Sequence, residues 1–201
     1  MIAIIDYNVG NLFSVKNALD YIGEKNVITG DPDVLKKADS MILPGVGAFP
    51  NAMQELKKRG LDTYIREQAA LKPLLGICLG MQLLFSKSDE FGETAGLSLI
   101  SGEIKRIPET GYKIPHMGWN ALRYKNPSPI LSDIPQGSYF YFVHSYMAFT
   151  DESSVSAYAE YGTEVTACVW DGKNVFGSQG HPEKSGEAGL LMLRNFCKLA
   201  G

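Results

Sequence analysis

A short apolar run that turns at a cysteine constrains the fold of this chain more than any other stretch. Residues 74–77 have the composition of a buried strand, and the apolar periodicity after Cys78 predicts a helix that continues to Phe85. Gly76 and Gly80 flank the cysteine symmetrically. Because residues without a Cβ atom leave room for the chain to fold back, the pattern predicts a sharp elbow between a strand and a helix.

The elbow predicts a reactive thiol at Cys78. The dipole and the unpaired N–H groups at the amino end of a helix favour a thiolate there, and the N–H of Leu79 could donate to an oxyanion beside the sulfur. Gln82 lies about one helical turn further along, on the same face. A buried cysteine is commonly just a small apolar core residue, but the two flanking glycines favour a nucleophile here.

Composition narrows the class of protein. The 201 residues contain no linker rich in Pro, Gly or Ser and no repeat, which predicts one domain over residues 1–201. The net charge is −3 and the basic residues are dispersed, which argues against a nucleic-acid partner. Residues 1–6 are too short for a signal peptide and lack a basic leader, and no apolar run approaches membrane-spanning length, so no membrane association is expected.

The cysteines bear on the compartment and on metal binding. The chain has 3 cysteines, an odd number, and they lie far apart, which argues against a disulfide framework and predicts a cytoplasmic location. Cys168 and Cys197 lie in apolar-periodic surroundings and are predicted to be core residues. The sequence has no phosphate-binding or dinucleotide motif and no Cys/His cluster with metal-site spacing, so neither a cofactor nor a metal is expected.

Strands and helices alternate in the first part of the chain. Strands are predicted at residues 2–5, 27–28 and 41–43, and helices at 13–22, from Pro32, at 51–59 and at 61–71. This alternation predicts parallel strands joined by right-handed crossovers, with helices on both faces of the sheet.

After the elbow helix the alternation stops. Strands are predicted at residues 101–107, 119–124, 139–143, 154–159, 165–170 and 175–179, followed by an amphipathic helix at 185–199. Because no helix intervenes between them, these strands are expected to add to the sheet in antiparallel fashion. The predicted architecture is a three-layer α/β/α fold with a mixed, mostly parallel central sheet, flavodoxin-like, whose sites lie outside the carboxyl ends of the strands.

One of the 3 histidines has the context of a catalytic base. His181 directly follows the strand at 175–179, and Pro182 biases it toward an extended backbone. Residues two apart in an extended chain point the same way, so Glu183 can hold one ring nitrogen while the other faces the sulfur of Cys78. His144 also ends a strand but lacks a nearby acid, which predicts a site wall or a substrate contact. His116 is predicted to lie in an irregular loop.

A glycine loop completes the predicted site. Residues 44–47, Pro-Gly-Val-Gly, follow another parallel strand, where glycines let backbone N–H groups approach a substrate carbonyl. Taken alone, the loop would be explained as a simple turn.

Together, residues 44–47, 76–82 and 181–183 resemble the class I (triad) glutamine amidotransferases. A narrower similarity, to the branch that supplies the glutaminase subunit of imidazole glycerol phosphate synthase in histidine biosynthesis, rests on residues 6–7 with 10–12, 115–120 and 141–146. The resemblance runs from end to end. The segment at 115–120 is the most specific for this branch.

The resemblance implies a glutaminase. Cys78 would attack the side-chain amide of glutamine, His181 would pass the proton to the leaving ammonia, and Glu183 would orient His181. Water would hydrolyse the thioester, and ammonia would pass to a (β/α)8-barrel cyclase subunit. The implied oxyanion donors are the N–H groups of Val46, Gly47 and Leu79. The implied substrate contacts are Gly45, Gln82, His144, Ser145 and Tyr146. The residues expected near the partner are Met117, Trp119 and Asn120.

One residue departs from the family pattern. Gly180 stands where the family usually has an aromatic residue, commonly Phe, before His-Pro-Glu. Glycine adds backbone freedom, which predicts looser placement of His181 and reduced turnover. The alternative is that a neighbouring side chain fills the gap.

The sequence leaves three other functions open. The first is an amidotransferase subunit that serves anthranilate, guanylate or pyridoxal phosphate synthesis, against which residues 115–120 argue. The second is a non-catalytic subunit that only scaffolds a synthase, which an intact set of Cys78, His181 and Glu183 disfavours. The third is a cysteine peptidase with a similar sheet.

Overall fold

The fold is taken from a computed structural model that describes residues 1–199; residues 200 and 201 of the predicted domain lie outside it. The described residues form fourteen strands and six α-helices. The strands are β1 (Ile2–Ile5), β2 (Asn26–Thr29), β3 (Ser40–Gly45), β4 (Leu74–Cys78), β5 (Lys87–Ser88), β6 (Thr94–Ala95), β7 (Glu103–Arg106), β8 (His116–Ala121), β9 (Arg123–Tyr124), β10 (Tyr139–His144), β11 (Tyr146–Phe149), β12 (Val155–Glu160), β13 (Glu164–Trp170) and β14 (Val175–Ser178). The helices are α1 (Leu12–Tyr21), α2 (Pro32–Lys37), α3 (Phe49–Lys58), α4 (Leu61–Ala69), α5 (Leu79–Leu83) and α6 (Gly186–Lys198).

The central sheet has eight strands in the order β2-β1-β3-β4-β14-β13-β12-β9. The first five in this order are parallel, and each of the last three pairs antiparallel with its neighbour. The predicted mixed, mostly parallel sheet is therefore confirmed, and the carboxyl ends of β3, β4 and β14 meet at one edge of it.

The strands bury both of their faces because their side chains alternate. On β1, Ala3 and Ile5 belong to one core cluster, while Ile2 and Ile4 belong to the other. Apolar residues of α2, α3, α4 and α5 fill the first cluster, and those of α1 and α6 fill the second. The predicted three layers follow from this period of two in the strands and from one apolar face on each helix.

The strands after the elbow are distributed differently from the prediction. β12 and β13 do join the central sheet as antiparallel strands, but β14 is parallel to β4. β7 pairs instead with β11 and β5 in a four-stranded sheet, and β8 pairs with β10 in a two-stranded ribbon. The predicted strand at 119–124 is two strands in different sheets. Local periodicity predicts a strand but carries no information about its partner, which is why these pairings were missed.

The elbow helix is shorter than predicted. α5 ends at Leu83 rather than at Phe85, because the chain beyond it takes the last carbonyl groups. The N–H of Leu97 donates to the carbonyl oxygen of Leu83 (2.8 Å), and the N–H of Leu99 donates to that of Leu84 (2.8 Å). These bonds satisfy orphan carbonyls that a longer helix would have used.

The two other cysteines lie in or against the core. Cys168 is buried in the core, as predicted, and Cys197 is partly buried against it. In the part of the chain from residue 1 to 199, no helix combines the length and the apolar character needed to cross a membrane.

Candidate active site

Cys78 lies at the bend where β4 passes into α5. Its φ is 56° and its ψ is −114°, a backbone conformation that residues with a side chain rarely adopt. Strain of this kind persists only where the surroundings enforce it, and it is concentrated at functional sites. The predicted elbow is therefore present, with the thiol at the carboxyl end of a central strand.

The two flanking glycines are required by close packing. A Cβ atom at Gly76 would lie 2.6 Å from the carbonyl oxygen of Gly80 and 2.7 Å from the Cα of Met81. A Cβ atom at Gly80 would overlap the carbonyl group of Leu43 on β3. The elbow is thus pressed against its own helix and against the neighbouring strand.

The glycine loop lies directly beside the elbow. Gly45 is the register partner of Cys78 in the pairing of β3 with β4. The buried Tyr7 donates from its hydroxyl group to the carbonyl oxygen of Pro44 (2.9 Å). A Cβ atom at Gly45 would lie 2.8 Å from that hydroxyl oxygen and 2.9 Å from the nitrogen of Gly80. Tyr7, to which the sequence analysis gave no role, therefore fixes this loop against the nucleophile.

His181 and Glu183 form a buried pair. Nδ1 of His181 lies 2.8 Å from Oε1 of Glu183, and both side chains are almost completely buried. Burial lowers the pKa of His181, but the neighbouring Cys78 and Glu183 outweigh burial and raise that pKa to about 10. The carboxylate of Glu183 thus holds Nδ1 of the ring, while Nε2 of His181 is buried and makes no hydrogen bond to the described residues.

A cleft of about 370 Å³ opens above the thiol. It brings together most of the predicted site residues, namely Val46, Gly47, Cys78, Leu79, Gln82, His144, Ser145, Tyr146 and His181. Glu183 does not line it, because it lies behind His181. Gly45 does not line it either, since its backbone packs against Tyr7 and the elbow. Four lining residues were not predicted, namely Glu90, Pro115, Val143 and Lys184.

Glu90 is one of two charged residues of the cleft that sequence reasoning missed, the other being Lys184. Its Oε2 accepts from the backbone N–H of Phe49 (2.8 Å), the first residue of α3. Burial raises the pKa of Glu90, whereas this hydrogen bond lowers it. A carboxylate at this position complements the positive end of the helix and leaves its second oxygen for a ligand.

The carbonyl group of Tyr146 is the centre of a polar network in the cleft wall. It lies 2.7 Å from Nδ1 of His144 and accepts from Nε2 of Gln82 (3.0 Å). Burial lowers the pKa of His144 to about 3, so its ring is neutral at ordinary pH. His144 thus lines the cleft, as predicted, and its Nδ1 is used to hold the backbone.

His116 lies on a strand rather than in the predicted loop. It is the first residue of β8, and its Nδ1 is 3.0 Å from Nε2 of His144. Burial lowers the pKa of His116 to about 4. The prediction failed because the ribbon of β8 and β10 is stabilised by stacking of the His116 ring on Phe142 and Tyr161, contacts between residues distant in sequence.

The predicted partner-facing residues divide between the two faces of that ribbon. Met117 and Trp119 are 60% and 56% exposed, and Tyr139 of the neighbouring strand is 61% exposed. Asn120 lies on the other face, where its Nδ2 donates to the carbonyl oxygen of Glu160 (2.9 Å). The outer face is therefore an apolar, aromatic surface, and Asn120 is partly buried on the opposite face.

Over residues 1–199, no three side chains of His, Cys, Asp or Glu are grouped as a metal ion would require.

Comparison with known proteins identifies the family. A family model described as Glutamine amidotransferase class-I matches residues 3–200. The chain belongs to the class-I glutamine amidotransferases. A solved structure described as a glutamine amidotransferase superposes on this amidotransferase with a TM-score of 0.78 at 18% identity, covering 100% of this chain and 98% of that one. The fold class is thereby confirmed.

Curated relatives show to which branch of the family this amidotransferase belongs. An imidazole glycerol phosphate synthase subunit HisH of Moorella thermoacetica is 52% identical over 200 residues, which cover 98% of this chain and 94% of the relative. A subunit of the same name from Bacillus cereus is 50% identical over 197 residues, which cover 98% and 93% of the two chains. Over nearly its whole length, therefore, this amidotransferase belongs with the HisH subunits.

Proposed function

We propose that this chain is the glutaminase subunit of an imidazole glycerol phosphate synthase. It hydrolyses glutamine to glutamate and ammonia, and the ammonia serves histidine biosynthesis in a cyclase subunit. The family and the HisH relatives support this assignment. The observation that carries the chemistry is the strained thiol of Cys78, which shares one cleft with the buried pair of His181 and Glu183.

The acylation step uses the thiol of Cys78 and the imidazole of His181. A ring with a pKa raised to about 10 is protonated at neutral pH, so His181 holds the proton that the leaving nitrogen needs. The attacking form of a cysteine is the thiolate. The thiolate forms a bond to the amide carbon of glutamine, and His181 gives its proton to the leaving nitrogen. Ammonia departs when the carbon–nitrogen bond breaks and leaves a thioester. Glu183 keeps the proton-bearing Nδ1 in place.

The oxyanion is bound by backbone groups of two adjacent strand ends. The N–H of Leu79 begins a helix, and the loop that contains Val46 and Gly47 lies beside it through the pairing of Gly45 with Cys78. Tyr7 holds that loop by its bond to Pro44. In the second step, water attacks the thioester with His181 as the base, and glutamate is released.

Glutamine is oriented by polar groups of the cleft. Glu90 supplies a carboxylate for the α-ammonium group. Both amide hydrogens of Gln82 are already used, one on Tyr146 and one on Gln179, so only its carbonyl oxygen is left to accept from the substrate. Ser145 and Tyr146 also line the cleft beside these groups.

The partner is proposed to be a (β/α)8-barrel cyclase that forms a heterodimer with this chain. The exposed Met117, Trp119 and Tyr139 give the ribbon of β8 and β10 an outer face of the apolar, aromatic kind found at protein interfaces. We also infer a cytoplasmic location, which the free thiols of the chain support.

The assignment is tested by adding a cyclase subunit of an imidazole glycerol phosphate synthase. Glutamate release is measured with and without the cyclase's ribonucleotide ligand, for the wild-type chain and for Cys78→Ala. We expect release that requires the partner and is abolished in the variant. Ammonia transfer only to an anthranilate, guanylate or pyridoxal phosphate synthase would place the chain in another branch.

Two remaining alternatives predict different results in the same experiment. A non-catalytic scaffold would leave Cys78 as slow toward a glutamine-analogue electrophile as Cys168 or Cys197. A cysteine peptidase would release no ammonia from glutamine with any synthase partner.

A further inference from the structure

Gln179 is a completely buried polar residue directly below the thiol. It follows β14, two residues before His181, and its backbone N–H donates to the carbonyl oxygen of Ala167 (2.8 Å). A buried side-chain amide is costly unless its donors and acceptor are paired. Its partners therefore indicate what this side chain does.

The orientation of the Gln179 amide is fixed by a backbone carbonyl group. The oxygen of Tyr146 can only accept, so the group of Gln82 that lies 3.0 Å from it is the amide nitrogen. The same nitrogen of Gln82 donates to Gln179 at 2.9 Å, so the atom it meets there is the oxygen Oε1. The nitrogen Nε2 of Gln179 is thereby turned to Sγ of Cys78, at 3.8 Å.

We propose that Gln179 is a further catalytic residue, whose side-chain amide donates a hydrogen bond to Sγ of Cys78 and stabilises the thiolate. A donor that faces the charged form of a group favours that form. The amide supplies this stabilisation without exchanging a proton, whereas His181 receives the thiol proton and passes it to the leaving nitrogen.

The contact acts twice in the reaction cycle. Before acylation it raises the fraction of Cys78 that is present as thiolate. During hydrolysis of the thioester, water adds to the carbonyl carbon, the carbon–sulfur bond breaks, and its electron pair returns to the sulfur. Gln179 then faces the departing thiolate. These roles in turnover rest on the proposed glutaminase function, but the effect on the thiol does not.

The test measures the thiol alone. The full chain is alkylated with iodoacetamide over a range of pH without substrate or partner, and modification of Cys78 is followed by mass spectrometry of its peptide. In Gln179→Glu, the side chain keeps an acceptor for Gln82 but presents a carboxylate to the sulfur. We expect the midpoint of the alkylation profile to move to higher pH and the rate at neutral pH to fall about tenfold or more.

Gln179→Met and a matched control complete the experiment. Methionine has a similar length and no donor, so the same direction of shift is expected, by about tenfold in rate. Tyr124→Phe, on β9 at the outer edge of the central sheet, removes the bond from the Tyr124 hydroxyl group to the carbonyl oxygen of Ile134 and should leave the profile in place. Folded Gln179→Glu and Gln179→Met proteins whose profiles match the wild type would overturn the proposal, even if their turnover fell. A shifted profile in a chain that hydrolyses no glutamine would refute the proposed function and leave this inference standing.

Discussion

Nδ1 of His116 donates a hydrogen bond to Nε2 of His144 across 3.0 Å. The direction follows from the neighbouring contact: Nδ1 of His144 faces the carbonyl oxygen of Tyr146, which only accepts, so this nitrogen carries the proton of the neutral ring. Nε2 of His116 is then an acceptor, and Nδ2 of Asn120 donates to it at 3.2 Å. Asn120, His116, His144 and Tyr146 are thus linked by hydrogen bonds that all donate in the same direction, from β8 to the wall of the cleft.

Breaking this chain of hydrogen bonds at His116 is expected to weaken glutamine binding. His116→Phe keeps the stacking on Phe142 and Tyr161 but removes the donor to His144. The ring of His144 is then held less firmly, and so is the carbonyl group of Tyr146 that accepts from Gln82. The loss of a neutral hydrogen bond predicts a KM for glutamine raised about two- to tenfold, with a smaller change in kcat.

Nitrogen-15 NMR of the histidine rings provides the direct readout of that variant. In the wild-type chain the signals of His144 should show the proton on Nδ1. In His116→Phe the proton should stay on Nδ1, which still faces Tyr146, while the Nε2 signal should shift because Nε2 no longer accepts a hydrogen bond. His116→Gln, which restores an amide donor, serves as the rescue. Identical His144 signals in His116→Phe and the wild type would show that His116 does not donate a hydrogen bond to His144.

Acid is expected to destabilise the fold through the same two rings. Burial lowers the pKa of His116 to about 4 and that of His144 to about 3, below the ordinary value of about 6.5. As the pH falls below 6.5, the unfolded chain binds protons that the folded chain does not, so the free energy of unfolding falls by about 1.4 kcal/mol per pH unit for each ring. The stability that the rings confer is therefore present above pH 6.5 and is lost as the pH falls toward their folded values.

Urea unfolding between about pH 7.5 and 4.5 measures this slope. In His116→Phe the free energy of unfolding should fall less steeply with pH than in the wild type, by about 1.4 kcal/mol per pH unit, the contribution of one ring. Equal slopes in the two proteins would show that His116 is not neutral in the folded chain.

Neutralising Glu90 is expected to impair recognition of the substrate's α-ammonium group. Glu90→Gln keeps an acceptor for the N–H of Phe49 but removes the charge. A KM for glutamine raised about ten- to a hundredfold is expected, with the melting temperature nearly unchanged. The matched comparison uses glutaramate, the analogue that lacks the amino group. The wild type should discriminate against it, and Glu90→Gln should discriminate much less, whereas an undiminished preference for glutamine would assign Glu90 to helix capping alone.

Enlarging Gly180 is expected to disturb packing rather than to improve it. A Cβ atom there would lie 3.1 Å from Cβ of Phe140 and 3.4 Å from the ring of Phe142, which favours the alternative that neighbouring side chains fill the gap. The backbone of His181 is also held without a side chain at 180, because its N–H donates to the carbonyl oxygen of Tyr141 (2.9 Å). Gly180→Phe should lower the free energy of unfolding by about 1–3 kcal/mol, or Tm by roughly 2–12 °C.

Thermal melting of Gly180→Phe and Gly180→Ala checks this, with the smaller alanine expected to cost less. A higher Tm together with faster turnover in Gly180→Phe would restore the interpretation that glycine leaves His181 loosely placed.

The sequence predicts those parts of the site that local chemistry specifies. The glycines around Cys78 signal an elbow because only they fit the close packing, and Pro182 signals the extended spacing that brings Glu183 to His181. Both features lie within a few residues of the group they position. The alternating order of strands and helices likewise specifies the parallel part of the sheet.

The residues that were missed are positioned by contacts distant in sequence. Glu90 lies in an irregular segment and reaches the cleft through the N–H of Phe49, and Tyr7 acts through the carbonyl group of Pro44. The place of His116 depends on which strand pairs with β8. No local pattern encodes such partners, because they are chosen by the packing of the whole chain.

The ribbon of β8 and β10 has two different faces, and this difference constrains how the sequence of β8 can evolve. Met117 and Trp119 point outward, whereas His116 and Asn120 point inward, and the sides are separated by the thickness of a single pleat. Residues at odd-numbered positions of β8 can therefore be substituted during evolution together with the surface of a binding partner. Residues at even-numbered positions are constrained by their contacts with the cleft wall. A saturation mutagenesis scan of this strand should show tolerance that alternates from one residue to the next.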